Sequence, residues 1–200
     1  VNSDDSLIIF TRNAVHGTVK TRLAATIGDD RALQVYQWLI GHTFSVTKRI
    51  DVKKAVFYSE FVATADVWDD SYFKTVQQGA DLGQRMSNAF KAILKNNRTK
   101  AVIIGTDCYD LTEAIIARAF EQLNNYDVVI GPAFDGGYYL LGMKAHHPTL
   151  FENINWSTSA VLNETLARCN ESALTYCLLP VLDDIDDEKD LLNTAIFDKP

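Results

Sequence analysis

Short apolar runs of strand length, separated by stretches of helical period, narrow the folds open to this chain more than any other feature. "LIIF" (7–10), "KKAVFYS" (53–59), "AVIIGTD" (101–107), "DVVIGPA" (127–133) and "YYLLGM" (138–143) read as strands, with "YFKTVQQ" (72–78) and "LTYCLLP" (174–180) as weaker ones. Between them, Leu33, Tyr36, Ile40 and Phe44 recur at the three-to-four spacing of an amphipathic helix. Met86, Ala89, Phe90, Ile93 and Leu94 do the same, as do Ile115, Ile116, Ala119, Phe120 and Leu123 behind Thr112, a candidate N-cap. A polar helical stretch over about 159–170 and an acidic tail helix follow. Strands that are apolar throughout are covered on both faces, so the order predicts an α/β sandwich around a mostly parallel sheet. No repeat or linker interrupts it, which predicts a single domain over residues 1–200.

In such sheets ligands sit beyond the carboxyl ends of the strands, so the residues there carry the functional reading. Composition narrows what they can meet. A net charge of −7 and a pI near 5.0 argue against nucleic-acid backbone binding as the main role, which needs a basic surface. Cys108, Cys169 and Cys177 form no metal or disulfide pattern, and "VNSDDSLIIF" is neither a signal peptide nor a membrane span. A cytoplasmic protein is the expectation.

After the first strand, "TRNAVHGTVKTRL" gathers Arg12, His16, Gly17, Lys20, Thr21 and Arg22. This is either a phosphate-binding loop opening into a helix or a solvated basic loop. "GTVKT" lacks the glycines of a Walker A loop. After 72–78, Gly79, Asp81, Gly83 and Arg85 offer a nucleotide-facing glycine backbone or an Asp81-capped helix. After 101–107 stand Asp107 and Asp110. Hard Mg²⁺ or Mn²⁺ takes one or two carboxylates plus substrate phosphates, a place Asp107 fits, whereas Asp110 is also a helix-capping candidate. Asp135 follows the next strand in "FDGGY", a turn sequence or a second working carboxylate. Consecutive parallel strands would bring Asp107 and Asp135 to one sheet edge. Tyr138 and Tyr139 alternate faces, one toward the core and one toward a pocket. Trp156 is a core residue or a stacking platform, and Ser157 and Thr158 are N-cap candidates. Asp183, Asp184, Asp186 and Asp187 read first as the acidic start of a helix.

Taken in order, "GTVKTRLA", "GADLGQRM", "IGTDCYDL", "GPAFDGGYYLLGM", "INWST" and "LPVLDDIDDEKDL" resemble a bacterial family of small GT-A-type transferases. That family is known as radical-SAM/selenodomain-associated transferase 1 or as arsenosugar-biosynthesis-type glycosyltransferase. The resemblance runs from about residue 7 to 193. It implies a Rossmann-like α/β/α sandwich of the nucleotide-diphospho-sugar transferase type. It also implies nucleotide contacts from Lys20, Arg22, Gly79, Gly83 and Arg85, a metal carboxylate at Asp107, and an acceptor-side Asp135-Gly136-Gly137; Arg12, in the same basic loop, is expected to join the nucleotide contacts. Tyr109 stands where members commonly have Pro, and Asp107-Cys-Tyr-Asp110 is one residue longer than the Asp-X-Asp of many glycosyltransferases.

The expected function is sugar transfer from a nucleotide-diphosphate donor to a small acceptor, with Mg²⁺ or Mn²⁺ held by Asp107 and Asp135. Lys20 and Asp135 are the expected catalytic groups. Gly136, Gly137, Trp156 and Ser157 are expected on the sugar or acceptor side. Two rivals stand beside it: a nucleotidyltransferase using a nucleoside triphosphate, and a non-catalytic nucleotide-binding domain.

Overall fold

A computed structural model describes residues 2–94 and 99–194. Seven strands form one sheet in the order β3-β2-β1-β4-β6-β5-β7. They are β1 (Ser6–Thr11), β2 (Lys53–Tyr58), β3 (Tyr72–Val76), β4 (Ala101–Ile104), β5 (Val128–Pro132), β6 (Tyr138–Met143) and β7 (Tyr176–Leu178). The helices are α1 (Thr21–Ile27), α2 (Asp29–Thr47), α3 (Leu82–Ile93), α4 (Glu113–Gln122), α5 (Val161–Glu171) and α6 (Glu188–Leu192).

Period-two alternation sends neighbouring strand residues to opposite faces. Leu7, Ile9, Val102 and Ile104 face a core completed by Tyr36 of α2 and Ile116 and Phe120 of α4. Ile8, Ala101 and Ile103 face the other core, with Met86 and Phe90 of α3 and Cys169 of α5. The central strands are covered on both sides, as their apolar composition requires. A third, smaller core of Leu23, Ala32, Val35, Leu39, Ile185 and Leu191 joins α1, α2 and α6.

The fold class is the one expected, a single-domain sandwich with a mostly parallel sheet. Two details differ. The pairing of β4 with β5 is indirect: β6 inserts between them, antiparallel to both. Asp107 and Asp135 still leave parallel strands toward one sheet edge, but with β6 as spacer. A residue pattern gives a strand's burial and not its neighbour, so the insertion was invisible. The helix α5 also starts later than its candidate caps. Its N-cap is Ala160, without a side-chain cap, and Thr158 Oγ1 instead accepts from Ala160 N at 3.3 Å. Thr112 and Asp81 do cap α4 and α3, accepting from Ile115 N and Gln84 N.

Candidate active site

The loop from β1 to α1 is pinned by two buried side chains, Val19 and Leu23, on either side of Lys20 and Arg22. With both anchors inward, Lys20 closes the loop in the left-handed region (φ 49, ψ 45), uncommon for a residue with a Cβ. Its side chain is only 5% exposed, and Nζ lies 2.8 Å from Asp107 Oδ1 and 3.1 Å from Asp186 Oδ1. Burial alone pushes this ammonium down; the carboxylates of Asp107 and Asp186 outweigh it and hold the ammonium above its ordinary value. Arg22 pairs with the other oxygen of Asp186.

The segment from β7 to α6 delivers its acids by the same device. Ile185, 1% exposed, enters the third core, and its N–H donates to the Asp107 carbonyl at 3.1 Å. The flanking Asp184 and Asp186 therefore face the Lys20 loop. Burial first, then the charge of Asp107, pushes the Asp184 carboxyl up to about 7. Asp187 is the helix-capping acid, forming a capping box with Asp190.

These groups line one cavity of about 610 Å³ that holds Arg12, Lys20, Arg22, Asp107, Asp135, Asp184 and Asp186. Gly137, Tyr138, Trp156 and Ser157 complete its far wall. A neighbouring cavity of about 560 Å³ shares Arg12, Asp107, Asp184 and Tyr138, and adds Gln77 and Arg85. Tyr36 borders both. Its hydroxyl accepts from Arg12 N at 2.8 Å and lies 3.1 Å from Thr106 Oγ1, tying the loops after β1 and β4 together.

A family profile described as "Uncharacterized protein conserved in bacteria (DUF2064)" matches residues 43–158, more than half of the chain. The chain belongs to the DUF2064 family. This DUF2064 chain is also similar to a crystal structure from Desulfovibrio desulfuricans G20, described as a candidate nucleotide-diphospho-sugar transferase. Identity is 29% and the TM-score 0.87, over 95% of this chain and 85% of that one. The inositol-1-phosphate CTP transferase of T. maritima is 12% identical with a TM-score of 0.59, over 98% and 95% of the two chains. The 4-diphosphocytidyl-2C-methyl-D-erythritol synthase of Anaerococcus prevotii DSM 20548 is 9% identical with a TM-score of 0.57, over 94% of each. These last two share the fold alone. No curated protein matches the chain.

In the DUF2064 chain, Arg12, Lys20, Arg22, Asp107, Asp135, Gly137, Trp156 and Ser157 meet in one cavity, and Arg85 lines its neighbour. Gly79, Gly83 and Gly136 border neither. The space beside the Gly83 Cα, expected to receive nucleotide, is filled by the Trp156 indole, which a Cβ would overlap. Gly79 accepts from Arg85 Nε at 3.2 Å. Gly136 has φ +88, and a Cβ there would overlap the Ser159 carbonyl, so its smallness serves the turn and its packing on the segment before α5. Asp135 answers to both of its readings. It shapes the β5–β6 hairpin, accepting from Gly137 N at 2.8 Å, and its carboxylate still borders the cleft. His16 turns away to Asp30, at 3.1 Å. Tyr139 packs in one core, donating to Pro180 O at 2.9 Å, and Tyr138 packs against the other with its hydroxyl buried; Tyr138 borders both cavities and Tyr139 the second.

Asp184, Asp186 and Tyr36 are the site residues that local patterns missed. A run of acids before a helix matches the macrodipole preference so well that it conceals Ile185, the one apolar residue whose burial sets Asp184 and Asp186 apart from Asp187. Among the described residues, no three His, Cys, Asp or Glu side chains are grouped to hold a metal ion by themselves, and no helix is long and apolar enough to cross a membrane.

Proposed function

We propose that this protein is a nucleotide-dependent transferase that moves a sugar from a nucleotide-diphosphate donor to a small acceptor. The observation that supports the reading most is the meeting of Arg12, Lys20 and Arg22 with Asp107, Asp135, Asp184 and Asp186 in one cavity beyond the carboxyl ends of the strands. Cations with hydrogen-bond donors suit phosphate oxygens, and carboxylates on the same wall suit an acceptor hydroxyl. The similarity to the Desulfovibrio protein favours a transferase on a nucleotide-sugar. The resemblance to the radical-SAM/selenodomain-associated and arsenosugar-type transferases points to the same reaction class.

In this reading Lys20 and Arg22 neutralise the leaving nucleoside diphosphate. Both are held by Asp186 in the free protein, so donor phosphates compete with that carboxylate for them. Arg12, placed by Tyr36, adds a further cation at the same wall. Asp135 orients the acceptor hydroxyl and takes its proton as the new glycosidic bond forms. Trp156 and Ser157 border the space for sugar or acceptor.

The donor set fits a hard divalent cation. Asp107, Asp184 and Asp186 offer only oxygen; Lys20 and Arg22 pair with Asp107 and Asp186, and substrate phosphates that draw those cations away would complete such a site as they do in Mg²⁺ enzymes. Asp107 and Asp186 would hold Mg²⁺ or Mn²⁺, with Asp184 beside them and Asp135, one of whose oxygens serves the turn, bordering the same cavity. Such an ion would supply charge stabilisation on the diphosphate.

Nucleotidyl transfer is the second reading, favoured by the fold shared with the inositol-1-phosphate CTP transferase. Product analysis separates the two. Incubation with UDP- or GDP-sugars and Mn²⁺, with a small sugar or polyol acceptor, is expected to release nucleoside diphosphate. Pyrophosphate release from a nucleoside triphosphate, with none of the former, would replace the first reading by the second.

A further inference from the structure

A third cavity, of about 460 Å³, lies between α2 and the loop that joins β2 to β3. Ile40, Tyr58, Phe61, Ala65, Val67 and Trp68 supply much of its lining. Three large apolar side chains stand open around it: Phe61 at 50%, Val67 at 42% and Val15 at 41% exposure. Single exposed apolar residues are ordinary; three gathered on one concave opening mark a binding surface.

The walls are fixed before any ligand arrives. Asn13 Nδ2 donates to Phe61 O at 2.8 Å, and Asn13 Oδ1 accepts from Ser59 Oγ, Glu60 N and Phe61 N at 3.2, 3.0 and 3.3 Å. The amide best suited to read a base edge is thus spent on the loop, which favours an apolar occupant over a base. The acid at this cavity is also spent: Asp66 accepts from the Tyr58 hydroxyl, from Lys74 Nζ at 2.8 Å and from Trp68 N at 3.0 Å. Arg12 is different. Its backbone N–H is fixed on Tyr36, yet among the described residues its guanidinium has no hydrogen-bond or ion-pair partner, and it borders this cavity as well as the transfer cleft.

We infer that this cavity binds a small anionic amphipath, with an aromatic or branched aliphatic body against Phe61, Val67 and Trp68 and a carboxylate, sulfonate or phosphate at Arg12. The size falls within the ~300–1,000 Å³ of small-molecule sites. The paired Asp66 does not repel the charge, and the free Arg12 attracts it. The inference shares Arg12 with the transferase reading but does not rest on it, because the apolar walls belong to another pocket and the loop substitutions test that pocket alone.

The test is fluorescence titration of the full chain with 8-anilinonaphthalene-1-sulfonate and with N-phenyl-1-naphthylamine, the same ring system without the sulfonate. The sulfonate is expected to bind one saturable site. Ala65→Trp, which fills the pocket, and Phe61→Asp, which sets a carboxylate at its mouth, should each weaken it by roughly fivefold or more, with the neutral dye weaker by a similar factor on the wild-type chain. Arg12→Gln should erase the preference for the charged dye. Both loop substitutions fall on exposed residues, so melting temperatures should stay within about 2 °C of wild type; if one variant melts early, the other decides. Absence of saturable sulfonate binding, unchanged affinity in the stable loop variants, or equal affinity for the neutral dye would overturn the inference.

Discussion

Lys20 shows how a single residue can be placed by its neighbours. Val19 and Leu23 are buried on either side of it, and between these anchors the loop closes with Lys20 in the left-handed region and its ammonium turned into the cleft between Asp107 and Asp186. Replacing it with Met leaves two partly exposed carboxylates facing each other without their shared cation, at an expected cost of about 2 kcal/mol. Asp186→Asn in the same chain should recover part of that loss, and urea denaturation of the double-mutant cycle measures it. Strictly additive effects would show that the ion pair is not what Lys20 contributes. At this scale Asp107 and Asp135 were legible because each stands just past a recognisable strand, and Lys20 and Arg22 because cations gather where the loop after β1 opens into a helix. Asp184 and Asp186 were not, since what separates them from a helix-capping run is the burial of Ile185, a tertiary fact.

At the scale of elements, the β5–β6 hairpin separates two roles that adjacent glycines share in the sequence. Gly136 needs its positive φ and meets the Ser159 carbonyl, so Gly136→Ala should cost about 1–3 kcal/mol in thermal or urea unfolding. At Gly137 a Cβ would lie 3.1 Å from Asp135 Oδ1. Gly137→Ala should therefore disturb Asp135, and with it any response to acceptor, with a smaller loss of stability than at Gly136. Equal losses would mean that Gly137 too is chiefly structural. A second device ties the edge of the sheet. Asp127, just before β5, accepts from Thr175 N at 2.9 Å and Thr175 Oγ1 at 2.7 Å, and pairs with Lys144 at 3.1 Å. The Thr175 hydrogen bonds, with help from Lys144, bring its carboxyl from 3.8 down to about 2. The folded-state value is the lower one, so its stabilisation is present above pH 3.8 and is lost as the pH falls through about 2. Melting curves across that window should drop more steeply for the wild type than for Asp127→Asn; parallel curves would remove Asp127 from the acid response. The strands were readable from their apolar runs, as were the capping roles of Thr112 and Asp81. The insertion of β6 between β4 and β5 was not, because pairing order is decided by the hairpin and the crossover, which leave no mark on a strand's own residues.

Across the whole molecule, the fold explains why residues so far apart in the chain reach one place. Parallel β1, β4 and β5 end on the same side, β7 leads into the strap that carries Asp184 and Asp186, and the small core of α1, α2 and α6 locks that strap against the Lys20 loop. Membership of DUF2064 and the likeness to the Desulfovibrio structure agree with the sandwich that the apolar runs implied. The central claim is that this cleft binds the phosphates of a nucleotide. Calorimetric titration of UDP- and GDP-sugars, with Mn²⁺ and with Mg²⁺, tests it most directly on the wild type and on Asp107→Ala. Saturable binding that depends on the divalent ion in the wild type, and loses that dependence in Asp107→Ala, is the predicted result. Absence of binding to the folded wild type, or binding whose dependence on the ion is unchanged in Asp107→Ala, would contradict it.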